Sequence, residues 1–86
     1  MQRYTLQYTP EALQGIAKLT PDLKRIAERV LLKIAENPSY GKRLSGPLKS
    51  IWSARVTRRY RMLYLVNHTD KKVIVLDVGH RKNIYD

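Results

Sequence analysis

The hydrophobic pattern changes period twice along the chain. Apolar and polar residues alternate over 3–8, which predicts a strand with one buried face. Thr9-Pro10 and Thr20-Pro21 each combine a helix N-cap residue with proline at the first helical position, and Pro38 ends the second helix. The second helix carries its apolar residues at spacings of three and four: Leu23, Ile26, Ala27, Val30, Leu31 and Ile34. The pattern therefore predicts a strand followed by a helical hairpin.

Three further strands are predicted after a loop over 38–50, which contains two glycines and two prolines. They span Ile51–Val56, Tyr60–Asn67 and Val73–Val78, and the Tyr60–Asn67 strand is apolar enough to be central. Their connections are too short for crossovers, so they form an antiparallel meander. We therefore expect an α+β domain of order β-α-α-β-β-β, with the helical hairpin packed on one face of a small twisted, mainly antiparallel four-stranded sheet.

Length and composition restrict the protein class. Eighty-six residues suffice for a single small domain spanning 1–86. The chain has no cysteine, which excludes disulfides and cysteine-ligated zinc. The longest apolar runs reach about five or six residues, against the ~20 that a membrane helix requires. Since no signal-peptide pattern follows Met1, we expect a soluble cytoplasmic protein without a membrane partner.

The positive charge is concentrated in the second half of the chain. Seventeen basic and seven acidic residues give a net charge of +10. Residues 1–40 hold six basic and four acidic residues, whereas residues 41–86 hold eleven and three. Because such a field attracts polyanions, we expect nucleic acid or an acidic protein as a partner, rather than basic residues that only solvate a face.

Arg61 is an unusual residue for the central strand. If residues 57–59 form a three-residue turn, Arg55 faces Arg61 directly across the ladder, whereas a two-residue turn places Arg61 opposite Ala54. Facing like charges are destabilising, so the first register favours an anion between them. Because Arg61 shares strand parity with Leu63, the alternative is an arginine whose stem covers the core while its head reaches water.

The stretch 79–86 adds further polar chemistry beside Arg61. Arg81 is expected near Arg61, where two guanidinium groups can fork onto phosphate oxygens. Tyr85 and His80 are the candidates for proton transfer, since arginine stays protonated. A phenol beside guanidinium groups is pushed toward phenolate. The alternatives are that Tyr85 packs on the sheet and that His80 only binds backbone.

The remaining aromatic and imidazole side chains predict little chemistry. His68 lies in a turn without an evident partner, and Trp52 and Tyr64 are expected in the core rather than stacked on bases. The chain has no glycine-rich phosphate loop, no usefully spaced carboxylate pair and no nucleophile elbow. We expect no metal site and no cofactor.

Taken together, these motifs resemble the RelE branch of the RelE/ParE toxin superfamily. The likeness extends over nearly the whole chain and rests on residues 4–12, Leu44-Ser45-Gly46, residues 60–64, the 73–77 strand, Val78-Gly79-His80-Arg81 and Ile84-Tyr85. It implies a small toxin that enters the ribosomal A site and cuts mRNA there. The implied cleavage is a metal-free attack by the ribose 2′-hydroxyl on the adjacent phosphate.

The resemblance also implies roles for individual residues. Arg61 and Arg81 would hold and neutralise the scissile phosphate, and Tyr85 would be the base or orient the 2′-hydroxyl. The strand before Arg61 commonly carries two basic residues at alternate positions in this branch. Here those positions are Ser53 and Arg55, so one helper charge is missing.

Further contacts and partners follow from the same resemblance. His80 is a candidate for additional proton transfer, and the expected RNA-binding residues are Arg55, Arg58, Arg59 and Lys82. The implied partners are an acidic cognate antitoxin that wraps the toxin in a heteromeric complex, and mRNA with rRNA on the ribosome. Two alternatives are a ParE-like non-nuclease that poisons DNA gyrase and a basic nucleic-acid-binding module without catalysis.

Overall fold

The computed structural model describes residues 3–44, 46 and 50–84. Five strands form one sheet in the order β1-β5-β4-β3-β2. Strand β1 is parallel to β5, and the other neighbours are antiparallel. The elements are β1 (Thr5–Tyr8), α1 (Pro10–Ala17), α2 (Pro21–Glu36), a 3-10 turn (Pro38–Tyr40), β2 (Lys42–Arg43), β3 (Trp52–Arg55), β4 (Tyr60–Asn67), β5 (Lys72–His80) and α3 (Arg81–Ile84). The predicted α+β class, the helical hairpin and the central position of β4 are confirmed.

The sheet differs from the prediction at two places. Strand β2 lies inside the predicted loop over 38–50 and makes the sheet five-stranded rather than four-stranded. Strand β5 runs through His80, and α3 begins at Arg81, so the predicted strand end at Val78 was wrong. The strand continues because β4 supplies a partner for His80 at Tyr60. A two-residue strand such as β2 has no alternation that could reveal it in the sequence.

Thr9 joins helix α1 to an irregularity in β5. Its hydroxyl oxygen accepts a hydrogen bond from the Ala12 N–H (3.1 Å) as the predicted N-cap. The same hydroxyl donates to the Leu76 carbonyl oxygen at 2.6 Å. Leu76 is the extra residue where the β4–β5 register shifts. Thr9 therefore satisfies a carbonyl at the bulge while it starts the helix.

The helical hairpin packs on one face of the sheet. The buried sheet residues on that face include Met62 and Tyr64 of β4 and Val73, Val75 and Val78 of β5. Their helical partners are Ala12, Ala27, Val30, Leu31 and Ile34. The row of β4 that contains Arg61 is only half-buried and lies on the other face, so it is not part of the core. That helix-free face is available for function. None of the helices in the described ranges is long and apolar enough to cross a membrane.

Gly15 permits the close approach of α1 to β5. A Cβ atom at Gly15 would lie 1.9 Å from the Val78 carbonyl oxygen. Glycine lowers helix propensity at this position, but any larger residue would force the helix off the strand. The glycine that weakens the helical pattern in the sequence is therefore required by packing.

Candidate anion-binding groove

A groove of about 700 Å³ opens on the helix-free face of the sheet. The segment from Tyr40 to Leu44 forms one side, and β3 with the start of β4 forms the floor. Four of the residues that line it are cationic: Lys42, Arg43, Arg55 and Arg61. None of the described residues that line it is acidic. A concave surface with this charge favours an anionic ligand.

Arg55 and Arg61 face each other directly across the floor of the groove. The register pairs Arg55 with Arg61 and Ala54 with Met62, which confirms the three-residue turn. On the other side, Arg61 pairs with Gly79, which has no side chain to cover the guanidinium group. Directly opposed like charges destabilise a ladder. An anion bound between the two guanidinium groups would relieve that repulsion.

The 57–60 turn fixes the guanidinium group of Arg61. Nη1 of Arg61 donates to the Thr57 carbonyl oxygen at 2.8 Å, and it lies 3.4 Å from the Arg58 carbonyl oxygen and 3.5 Å from that of Tyr60. The Thr57 hydroxyl oxygen accepts from the backbone N–H groups of Arg59 and Tyr60, each at 3.3 Å. Within the described residues Arg61 bonds only through Nη1, so its Nη2 and Nε donors remain available to a ligand.

Tyr64 attaches the wall of the groove to the core. Its fully buried hydroxyl group donates to the Pro38 carbonyl oxygen (2.8 Å) and accepts from the Gly41 N–H (2.9 Å). Burial raises the pKa of Tyr64; the Gly41 hydrogen bond acts in the opposite direction, and Tyr40 adds to the increase. A Cβ at Gly41 would lie 2.5 Å from the Ser53 carbonyl oxygen, so the wall approaches β3 as closely as glycine allows.

Arg81 lies at the same end of the sheet but does not line the groove. Its backbone N–H donates to the Arg59 carbonyl oxygen at 2.7 Å, which holds the start of α3 against the 57–59 turn. Its side chain is exposed. Tyr85 lies outside the described residues. The structure therefore brings Arg55 and Arg61 together and places Arg81 at their edge of the sheet.

His80 lies away from the two facing arginines. It pairs with Tyr60, one position out of phase with Arg61, and its ring contacts the Tyr60 ring edge-on at 5.5 Å between centroids. Nδ1 of His80 accepts a hydrogen bond from the Lys82 N–H at 3.2 Å. Both rings line a second groove, between α1 and the end of β5, with Asp77 among its walls. The His80 ring therefore binds backbone and lies outside the cationic groove.

The predicted RNA-binding residues cluster around the edge at which Arg81 lies. Arg58 and Arg59 are exposed in the turn between β3 and β4, and Lys82 is exposed in α3. The hydrogen bond between the Arg81 N–H and the Arg59 carbonyl oxygen joins the two segments. The cationic edge consists of these three residues, Arg58, Arg59 and Lys82, together with Arg55, which also lines the groove.

Two aromatic contacts concern side chains singled out in the sequence. Trp52 stacks on Tyr64 at 6.1 Å between centroids, and Tyr64 is fully buried, as expected of core residues. His68 has a partner that the sequence did not show, because its Nδ1 lies 2.7 Å from the Tyr4 hydroxyl oxygen. That contact joins residues 64 positions apart, so no local pattern could have revealed it.

Sequence reasoning also missed three residues that shape the groove. Lys42 lines it from β2, Thr57 holds the guanidinium group of Arg61, and Tyr64 anchors the wall. The Gly-Lys-Arg sequence around Lys42 indicates only a loop. The polar Thr57 next to two arginines was the one available signal, because threonine hydroxyls commonly bond backbone N–H groups in turns.

Comparisons with known proteins agree with this architecture. A family model described as the ParE toxin of the type II toxin-antitoxin system, parDE, matches residues 6–85. The chain is 33% identical over 84 residues to Toxin RelG from Mycobacterium tuberculosis, covering 95% of each protein.

Two solved structures share the fold over most of their length. A chain of the toxin-antitoxin complex RelBE2 from Mycobacterium tuberculosis superimposes with a TM-score of 0.84 at 29% identity, covering 96% of this chain and 97% of that one. A chain of the intact E. coli RelBE toxin-antitoxin complex gives a TM-score of 0.76 at 25% identity, with coverages of 90% and 95%.

Proposed function

Since this chain belongs to the RelE/ParE superfamily of type II toxin-antitoxin toxins, we propose that it is a ribosome-dependent mRNA endoribonuclease that inhibits translation. It would cut mRNA in the ribosomal A site without a metal ion. The observation that best supports this function is the direct pairing of Arg55 with Arg61 on the floor of a cationic groove. Two facing guanidinium groups repel each other, whereas both can donate hydrogen bonds to the oxygens of a phosphodiester bound between them.

In the proposed reaction, the ribose 2′-oxygen attacks the adjacent phosphorus. The bond from the 2′-oxygen to phosphorus forms as the bond from phosphorus to the 5′-oxygen breaks, giving a 2′,3′-cyclic phosphate and a 5′-hydroxyl. Arg61, held by the Thr57 carbonyl oxygen, would donate to the phosphate oxygens as negative charge develops on them. Arg81 would join it from the sheet edge.

The proton transfers in this proposal rest on the family resemblance. Tyr85 would accept the 2′-hydroxyl proton, or orient that hydroxyl while water accepts the proton, and the departing 5′-oxygen would take up a proton from water. Positioning of the mRNA by the ribosome would supply much of the rate enhancement, because alignment alone is worth several kcal/mol, about 7–11 in favourable cases. Isolated RNA would therefore be a poor substrate.

The cationic edge also supports an acidic cognate antitoxin as the partner. The described salt bridges, Arg3 to Glu36 and Arg25 to Asp22, lie in the first half of the chain. Lys42, Arg55 and Arg61 in the groove thus have no acidic partner among the described residues. The similar structures named above are toxin-antitoxin complexes. We propose that such an antitoxin wraps this chain in a heteromeric complex, in the cytoplasm where mRNA is translated.

A second candidate is a ParE-like gyrase poison without nuclease activity. The observation in its favour is that the family model matching residues 6–85 carries the ParE description. It predicts a DNA-damage response without mRNA cleavage. A basic nucleic-acid-binding module without catalysis would instead show salt-dependent RNA binding and no growth arrest.

Regulated expression with transcriptome-wide mapping of mRNA 5′ ends separates these functions. We expect growth arrest with breaks at A-site codons. The Arg61→Ala/Arg81→Ala double variant should abolish both, whereas Lys24→Ala, at an exposed position of α2, should retain both. Arrest that persists in the double variant would refute the proposed site, and arrest with DNA damage but intact mRNA would favour the gyrase poison.

A further inference from the structure

We infer that Lys42 is a phosphate-binding residue of the groove and supplies, from the neighbouring strand, the positive charge that Ser53 does not. Strand β2 pairs antiparallel with β3, and Lys42 lies directly opposite Ser53. Side chains of directly opposed residues share one face, with Cβ atoms about 4.5–5.5 Å apart. The effect of Lys42 on cleavage rests on the proposed function, whereas its effect on RNA binding does not.

The register places Lys42 on the same face as the two facing arginines. Ser53 and Arg55 are two residues apart on β3, so both point to one face. Arg55 is opposite Arg61, and Lys42 is diagonal to Arg55, where residues are typically separated by about 7–8 Å and their Cβ atoms by somewhat less. The three cations therefore surround Ser53, and all four residues line the groove.

The Lys42 side chain is exposed to a ligand in the groove, whereas the guanidinium group of the neighbouring Arg43 lies over the Trp52 ring. The Arg43 guanidinium carbon lies 5.8 Å from the Trp52 ring centroid, on the other face of the two-residue strand. Lys42 is exposed, and its ammonium group makes no hydrogen bond or ion pair with any described residue. A lysine on a flexible stem acts as a point charge that attracts phosphate without fixing its orientation.

The backbone on both sides of Lys42 is held in place. The Gly41 N–H donates to the buried Tyr64 hydroxyl group at 2.9 Å. Beyond β2, the Leu44 N–H donates to the Ile51 carbonyl oxygen at 2.9 Å. The position of Lys42 relative to Ser53 is thus set by the sheet and the core. A fixed attachment point reduces the entropy lost when the side chain binds phosphate.

Because Lys42 and Ser53 lie directly opposite each other, exchanging these two residues tests whether the groove uses a cation at this pair of positions. We compare four proteins: the unaltered chain, Lys42→Ser, the swap Lys42→Ser/Ser53→Lys, and Lys24→Ser as a matched charge control on α2. Binding to a short 2′-O-methyl RNA, which lacks the attacking hydroxyl, is measured by fluorescence anisotropy at several salt concentrations. Cleavage of A-site mRNA is measured on programmed ribosomes, and thermal melting checks folding.

We expect RNA binding and cleavage to depend on the charge at position 42 but not on the charge at position 24. Lys42→Ser should reduce the slope of log binding constant against log salt by roughly 0.7, the value for one phosphate contact on a single strand. It should slow cleavage about tenfold, typical for the loss of one charged contact. The swap should restore both, because it returns an ammonium group to the same face. Lys24→Ser should change neither.

Two results would overturn the inference. Equal losses in Lys42→Ser and Lys24→Ser would show that only net charge matters. A folded swap variant that binds no better than Lys42→Ser would show that the groove does not use a cation at this pair of positions. If no variant cleaves mRNA, including the unaltered chain, but the binding pattern holds, the nuclease proposal fails and the assignment of Lys42 stands.

Discussion

The Thr57 carbonyl oxygen accepts a hydrogen bond of 2.8 Å from Nη1 of Arg61, and this contact sets the direction of the guanidinium group. The carbonyl is aimed by the shape of the turn, in which the Thr57 hydroxyl oxygen accepts from two backbone N–H groups. A side chain on the strand is therefore oriented by the loop that precedes it. This arrangement leaves the Nη2 and Nε donors of Arg61 without a partner among the described residues.

Replacement of Thr57 tests that positioning role. Thr57→Ala removes the acceptor of both N–H groups, so the turn loosens and the Arg61 guanidinium loses its fixed orientation. We expect the cleavage rate at saturating ribosome complex to fall about tenfold, since small misplacements of catalytic groups are costly. Thr57→Ser keeps the hydroxyl and should cleave at nearly the original rate. Equal losses in the two variants would assign the effect to the methyl group instead.

His80 offers a test of which residue transfers the proton. Its ring packs on Tyr60 outside the cationic groove, so His80→Ala should change the cleavage rate by no more than about twofold, as for an ordinary surface substitution. Tyr85→Phe should reduce the rate about 10²- to 10⁴-fold if the phenol is the base. The cleavage rates of the two variants, compared with that of the unaltered chain, provide the check. A loss of about 10²-fold or more in His80→Ala, with little loss in Tyr85→Phe, would identify the imidazole as the base and contradict this expectation.

Gly15→Ala should destabilise the fold although alanine is the better helix former. Helix propensity would contribute about 1 kcal/mol in favour of alanine. The Cβ would lie 1.9 Å from the Val78 carbonyl oxygen, and displacing the helix costs typically 1–3 kcal/mol. Urea denaturation should show a lower midpoint. Gln14→Ala, at the adjacent exposed position, should leave the midpoint unchanged or raise it slightly. A higher midpoint for Gly15→Ala would show that α1 shifts at little cost.

Tyr64→Phe should loosen the wall of the groove and change how stability depends on pH. The substitution leaves the Gly41 N–H without its acceptor and the Pro38 carbonyl oxygen without its donor, a cost of about 1–3 kcal/mol near neutral pH. Burial raises the pKa of Tyr64, so the folded state keeps the phenol proton after the unfolded chain has released it.

The stabilisation from Tyr64 is therefore fully present below the unfolded pKa of ~10 and is lost as the pH rises through the folded pKa. The free energy of unfolding of the unaltered protein should decrease more between about pH 8 and about pH 11 than that of Tyr64→Phe. Tyr8, whose pKa is also raised by burial, is present in both proteins and cancels in the difference. Parallel pH profiles for the two proteins would contradict the buried role of this phenol.

Local patterns in the sequence predicted the elements that are specified by consecutive residues. The two Thr-Pro pairs start the helices at Pro10 and Pro21 because each threonine accepts a backbone hydrogen bond in the first turn. The pattern of apolar residues was sufficient to identify four of the five strands, but not β2. The register between Arg55 and Arg61 was left open, because the sequence allows turns of two or three residues.

By itself, the sequence determined the helical hairpin, the three-strand meander, the concentration of positive charge after residue 40 and the candidates Arg61, Arg81 and Tyr85. Only the tertiary structure decided that Lys42 lies opposite Ser53, that His80 faces away from the groove and that Tyr64 holds the groove wall. The reason is physical. Caps and periodicity are properties of neighbouring residues, whereas a groove on a sheet depends on pairings between segments that the chain brings together only when it folds.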